Sequence, residues 1–395
     1  MRPSRLAWLS TAARAARTLK GPLVTSLRAG PCARRHWWRA VVASASLFAL
    51  SASLGGCGAA ADTPPKANAS FDPSQPLANP KDYVGPSTAQ LDIKDVVPVT
   101  TQSVQTLPVT VTDSQGTEVT ITDTSRIITL DIYGTISQVV FGLGLGGSVV
   151  GRDASSAFPQ IKDKPLVTTN GRDLDAEAIL NLAPSVIITD TSLGPWAVIE
   201  QLRAAGIPVV VVSAERSIEK IGPLTKQVAQ ALGVDAAGEA LAQRTAESID
   251  QVKQTITQAL PNEPDQRLRM AFLYVRGGAG IYYIFGKDSG TDSLIEALGG
   301  VDVAGEVGWA GLQPVTDEGL IAMNPDLILM MTKGLESVGG VDGLLEQLPA
   351  VAATAAGQNR RIVDMDDAQL LAFGPNTAEV LLALAAAIYS PEGSK

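Results

Sequence analysis

The sequence predicts an α/β protein of two Rossmann-like lobes with parallel sheets, joined by a long helical connector, with a ligand cleft between the lobes. Three observations predict it. Short apolar runs such as Val186-Ile187-Ile188 and Leu327-Ile328-Leu329 alternate with helical stretches, which calls for parallel strands covered on both faces. The block Glu177-Ala178-Ile179-Leu180-Asn181-Leu182-Ala183-Pro184, leading into the first run, recurs as Glu318-Gly319-Leu320-Ile321-Ala322-Met323-Asn324-Pro325 before the second. Between the halves, Ile218, Ile221, Leu224 and Val228, then Ile249, Val252, Ile256 and Leu260, keep the three-to-four spacing of a helix.

Arg34, Arg35 and Arg39 precede the apolar run Ala40 to Leu54, the charged and apolar regions of a secretory signal that is too short for a comfortable membrane span. The expected layout is a signal peptide over 1–56, Cys57 with a flexible Pro-, Ala-, Ser-rich tether over 57–104, an N-terminal lobe over 105–214, a connector over 215–262 and a C-terminal lobe over 263–391. Val109-Thr110-Val111-Thr112 and Glu118-Val119-Thr120-Ile121 alternate around Asp113-Ser114-Gln115-Gly116 and read as a β-hairpin. A buried strand over Arg126 to Asp131 then feeds a helix carrying Val139, Val140, Phe141 and Leu143, which ends at Leu145-Gly146-Gly147. The second half repeats that design with a strand over Met270 to Val275, a long loop, and a helix closing at Leu298-Gly299-Gly300. In the repeated block an acid opens a short helix, where the helix dipole favours it, and a proline stops the helix before the buried strand. The connector is interrupted at Gly233-Val234, and its length makes it a stiff beam that permits only small closure motions.

Composition excludes several functions. The formal charge of the 395 residues is −9, but nine of the 31 bases precede residue 57 and no acid does, leaving 22 bases against 40 acids, a net charge of −18. A surface that acidic repels phosphate backbones, so nucleic acid is not an expected partner. Cys32, Cys57 and the single histidine, His36, all lie in or beside the N-terminal segment. The mature fold is therefore expected to have no disulfide, no His-based zinc site and neither a Ser-His-Asp nor a Cys-His constellation.

The run Leu54-Gly55-Gly56-Cys57 resembles the bacterial lipobox, which implies a lipid on Cys57 and anchorage to the outer face of the cytoplasmic membrane. From roughly residue 105 to 390, the order of lobe, helical connector and lobe resembles the helical-backbone class of ABC-importer binding proteins for siderophores, cobalamin and haem. The resemblance implies a monomer that docks onto a permease dimer with its ATPase through one surface glutamate per lobe, and Glu177 and Glu318 occupy those positions. Within that class, Leu273-Tyr274-Val275-Arg276-Gly277-Gly278, Ile281-Tyr282-Tyr283, Ser289-Gly290-Thr291-Asp292, Gly308-Trp309, Met331-Thr332-Lys333-Gly334-Leu335, Asp364-Met365-Asp366-Asp367 and Phe373-Gly374-Pro375 are similar to haemin-binding proteins of the HmuT type. The similarity implies ferric haem as a transported ligand, not as a catalytic cofactor.

Tyr274 and Arg276 are two apart on a strand, so both side chains leave the same face near its C-terminal end, where ligand crevices of parallel sheets lie. A phenolate is a hard donor for ferric iron, yet a free tyrosine, with a pKa of about 10, is protonated at neutral pH. A guanidinium beside the phenol oxygen would favour the anion, which makes Tyr274 the expected iron ligand and Arg276 its support. Arg172, in the turn Asn170-Gly171-Arg172-Asp173-Leu174, is a candidate for a propionate, and Trp309, Met331 and Phe373 are candidates for flat apolar contact with a porphyrin. Tyr282 and Tyr283 cannot share a strand face, so one of them is structural. HmuT-type proteins commonly add a histidine from the opposite lobe, in a turn preceding the docking glutamate. No histidine stands there in this chain. That departure keeps a ferric siderophore or a corrinoid open as cargo. A chelatase-like enzyme would need acid–base groups in the cleft, where Asp364, Asp366 and Asp367 are the dense acidic cluster.

Overall fold

The computed structural model describes residues 66–67, 71–92 and 94–391. The expected signal peptide and Cys57 lie outside them, and no helix among the described residues is long and apolar enough to cross a membrane.

The N-terminal lobe is built on a four-stranded, wholly parallel sheet in the spatial order Val209–Val211, Val186–Thr189, Ile127–Leu130 and Val149–Arg152. Every residue of Ile127–Leu130 and Val186–Thr189 is buried, because helices cover both faces. Alternation divides the strands between two cores. Ile127, Val186, Ile188 and Val210 pack with Ile136, Val139 and Val140 of the helix Thr135–Gly142 on one side, and Ile128, Leu130, Ile187 and Val209 with Ile179, Ile199 and Leu202 on the other. The hairpin Val109–Thr112 with Glu118–Ile121 forms as expected, pairing Val109 with Ile121. Asp113 closes its turn by accepting from the backbone of Gln115 and Thr117, both at 2.9 Å.

The C-terminal lobe carries an eight-stranded sheet that is mixed rather than wholly parallel. Strands Ile362–Met365, Leu327–Met331 and Arg269–Arg276 run parallel, but Ile281–Phe285 folds back antiparallel on Arg269–Arg276 and in turn pairs with Leu312–Pro314. The stretch expected as a long loop after Val275 is thus a hairpin. Gly277–Ala279 forms a single tight turn and Gly280, at φ 64°, supplies the left-handed residue that lets the chain reverse. Met270 and Phe272 point to the core shared with the C-terminal helix Thr377–Tyr389, whereas Ala271, Leu273 and Val275 point to a second core beneath the helices that carry Leu344 and Val351.

Helices Ile221–Ala231 and Asp235–Thr257 form the connector, broken at Gly233 with φ 67°. The second is about 35 Å long at 1.5 Å per residue. Its Leu241 is buried in the N-terminal core and its Ile249, Val252 and Ile256 in the C-terminal core, so a single rigid element spans both lobes.

The tether expected over 57–104 differs from Phe71 onward. Ser87–Ala89 joins the C-terminal sheet beside Ile362–Met365; Phe71, Ala89 and Leu91 are buried in the C-terminal core, and Val96 in the N-terminal core. Arg244 donates to the carbonyls of Val97, at 2.6 Å, and Pro98, and the amide of Val99 donates to Gly142. This stretch is a strap across both lobes. Its composition suggested a tether because it holds on by scattered single anchors rather than by a periodic face.

Candidate functional site

The strand Arg269–Arg276 lies in the interior of its sheet, and its alternation places Phe272, Tyr274 and Arg276 on one face. Antiparallel pairing sets Tyr283 directly opposite Tyr274 on the same side, while Tyr282 faces the other core and its hydroxyl donates to Gln347 Oε1 at 3.2 Å. Tyr282 is therefore the structural member of the pair. The Tyr274 ring is half-buried and stacks against Phe285, with centroids 5.9 Å apart, and Phe285 in turn packs on Phe272. The guanidinium carbon of Arg276 lies 4.5 Å from the centre of the Tyr274 ring.

Arg276 was expected beside the phenol oxygen. Instead its Nη2 is paired with Asp367 Oδ2 at 2.7 Å and reaches Met331 Sδ at 3.5 Å, and its Nη1 donates to the carbonyl of Val275 at 2.9 Å. The second oxygen of Asp367 accepts from the amide of Lys333 at 3.0 Å, which ties the carboxylate to the N-terminal turn of the helix Thr332–Glu336. The guanidinium is thus held as a fixed positive charge against the ring, and the phenol hydroxyl, which makes no hydrogen bond to the protein among the described residues, is left for another partner.

Met331 and Phe373 are buried in the cluster against which Tyr274 packs. Phe373 adopts a left-handed backbone, φ 42°, and packs over Gly290, where a Cβ would clash with the Arg216 carbonyl oxygen and meet Phe373 Cε2 at 3.2 Å, so only glycine, itself at φ 90°, leaves room there. Trp309 does not join them. Its ring packs in the opposite core and lies over Gly319, where an added Cβ would come within 2.6 Å of Cζ2. The turn Val307–Ala310 carries it under the helix of Glu318, on the wrong side of the sheet for contact with Tyr274.

The first residues of the repeated block agree closely in three dimensions. Helix Ala176–Asn181 is capped by Asp175, whose carboxylate accepts from the amide of Ala178, and helix Asp317–Met323 by Thr316, which accepts from Gly319. Ala183 and Asn324 share a left-handed backbone, φ 42° and 40°. Glu177 and Glu318 are exposed at the same helical position, and one turn further each helix exposes an apolar residue, Leu180 and Ile321.

Sequence reasoning missed an ion cluster at the C-terminal edge of the N-terminal sheet. Three of its four parallel strands are followed at once by an aspartate: Asp131, Asp153 and Asp190. Arg216 Nη2 pairs with Asp131 at 3.2 Å and with Asp190 at 2.7 Å, and its guanidinium carbon lies 5.5 Å from the centre of the Tyr133 ring. Asp131 also accepts from the amides of Thr135 and Ile136, at the start of the next helix, and Asp153 from the amide of Asp131 at 3.1 Å. Burial, reinforced by the charge of Asp131, pushes the carboxyl of Asp153 up to about 7 and that of Asp190 up to about 6. Burial also raises the phenol of Tyr133, opposed by the charges of Arg216 and Arg172. Arg172, exposed on its turn, is therefore within electrostatic reach of Tyr133. Three aspartates each ending an apolar strand were the available signal.

Among the described residues, no group of three or more His, Cys, Asp or Glu side chains could hold a bare metal ion. The site brings together two phenols, a fixed guanidinium and apolar side chains.

The crystal structure of the heme-binding protein HmuT is similar over 79% of this chain and all of that one, with 44% identity and a TM-score of 0.75. Further structures of that protein carry alanine in place of a histidine, a tyrosine and an arginine, the last two being two positions apart. The periplasmic heme-binding protein RhuT of Roseiflexus sp. RS-1, in apo form, is 36% identical over 68% of this chain and 99% of its own, with a TM-score of 0.62. An uncharacterized ABC transporter substrate-binding lipoprotein of Bacillus subtilis, YvrC, is 24% identical over 256 residues, 64% of this chain and 77% of that one. Residues 131–369 match the family model described as periplasmic binding protein, and the chain belongs to that family of solute-binding, non-enzymatic proteins.

Proposed function

We propose that this chain captures ferric haem outside the cytoplasmic membrane and delivers it to an ABC permease for iron uptake. The observation that carries the reading is the pairing of Tyr274 with Arg276 at the end of an interior strand, with the guanidinium 4.5 Å from the ring centre and the hydroxyl without a hydrogen bond among the described residues. Iron(III) bound at that oxygen displaces the phenol proton, and Arg276 and Asp367 fix the ring so that the oxygen does not have to be ordered on binding. Met331 and Phe373 supply apolar surface and Arg172 a cation for a propionate. The heme-binding relatives named above support haem over a siderophore or a corrinoid.

Cys57 anchors the protein through its lipid, and Glu177 and Glu318, matched in position across the two lobes, dock onto the permease dimer. The exposed Leu180 and Ile321 lie beside them.

The test is a haemin titration followed in the visible spectrum, with a ferric siderophore and cobalamin as competitors. Haemin is expected to bind with phenolate-to-iron absorption that Tyr274→Phe loses, and neither competitor is expected to displace it. The double variant Glu177→Arg, Glu318→Arg is expected to keep the wild-type titration while losing stimulation of the transporter's ATPase. Displacement by either competitor at equal concentration would overturn the cargo.

A further inference from the structure

Both lobes present the same three-part unit, and only one was legible in the sequence. In the C-terminal lobe, Tyr274 is faced by Arg276, which is held by Asp367. In the N-terminal lobe, Tyr133 is faced by Arg216, which is held by Asp131 and Asp190. Tyr133 leaves the end of the interior strand Ile127–Leu130, as Tyr274 leaves the end of Arg269–Arg276, so each lies where a parallel sheet opens its crevice.

The two tyrosines also share a core. Tyr133 belongs to the N-terminal lobe by sequence, yet it is half-buried against the same C-terminal core that receives Tyr274 and Tyr283. The lobes meet beside it: Thr135 Oγ1 donates to the carbonyl of Ala372, next to Phe373. Arg216 cannot serve the ligand itself, because its five donors are all engaged. Nε donates to Thr135, Nη1 to the carbonyls of Ser213 and Glu215, and Nη2 to the two aspartates. Its remaining role is to hold the face of Tyr133. The Tyr133 hydroxyl makes no hydrogen bond to the protein among the described residues and is not sealed from solvent, so it can face a ligand.

We propose that Tyr133 is the binding residue of the N-terminal lobe, packing its ring on the porphyrin face opposite Tyr274. This rests on the haem reading. It assigns Tyr133 a contact role and leaves the iron bond to Tyr274. Burial, which favours the neutral phenol of Tyr133, agrees with that division.

The experiment is a haemin titration of the full chain carrying Tyr133→Leu, which keeps apolar volume, and Tyr133→Phe, which keeps the ring, each checked for an unchanged thermal transition. Tyr133→Leu is expected to raise the Kd about three- to tenfold, the range of an aromatic contact, with the phenolate absorption retained. Tyr133→Phe is expected to stay within about twofold. An unchanged Kd in Tyr133→Leu would overturn the proposal alone, as would loss of the phenolate absorption in Tyr133→Phe, which would make Tyr133 an iron ligand. Failure of the wild type to bind haemin would overturn the haem reading first and this contact with it.

Discussion

The two tyrosine–arginine–aspartate units use the same residue types in opposite environments. In the N-terminal lobe the Arg216 side chain is 2% exposed and its two aspartates are 0% exposed, whereas in the C-terminal lobe Arg276 is 31% and Asp367 15% exposed. Burial turns the first into scaffold. Three carboxyls and one guanidinium share a site with little water, so the geometry is enforced by hydrogen bonds that cannot be exchanged for solvent. The second can still be reached by a ligand, and its charges can respond to one.

This contrast predicts that equivalent substitutions fail in different ways. Arg216→Leu leaves Asp131 and Asp190 buried without a cation, and is expected to lower the unfolding free energy by about 3–5 kcal/mol in denaturant titrations. Arg276→Leu removes a half-exposed pair and is expected to cost under about 1 kcal/mol of stability, while weakening haemin binding about ten- to a hundredfold. Similar stability losses in both variants would abolish the distinction. A smaller effect comes from pH. The folded-state carboxyls of Asp153 and Asp190, pushed up to about 7 and about 6, bind protons more tightly than in the unfolded chain. Their contribution is therefore complete below about pH 4 and is lost as pH rises through 6 and 7. Unfolding free energies are expected to fall between pH 5 and pH 8, with a shallower slope in Asp153→Asn. An identical slope in the variant would mean that the buried cluster does not titrate there.

What could be read from sequence was what local chemistry writes locally. The helix opened by an acid and stopped by a proline appears twice because capping and chain reversal need only nearby residues, and both copies fold alike. The spacing of Tyr274 and Arg276 was visible because strand alternation alone puts them on one face. The ion pair of Arg276 with Asp367, 91 positions beyond it, was not, and neither was the pairing of Tyr133 with Arg216, since each depends on which strand ends the topology brings together. Trp309 was misplaced for a related reason: a tryptophan in a turn has no periodicity to say which core it enters. The strap over 71–104 lacked a repeating face, so its anchors at Phe71, Leu91 and Val96 looked like the scattered apolar residues of a flexible tether.

In the proposed complex iron is bound by the exposed unit and contacted, without a bond, by the buried one. Resonance Raman spectra of the ferric haem complex, excited in the phenolate-to-iron band, test it directly. Phenolate modes that move on labelling the tyrosines with deuterium are expected to vanish in Tyr274→Phe and persist in Tyr133→Phe; the reverse pattern would contradict the account.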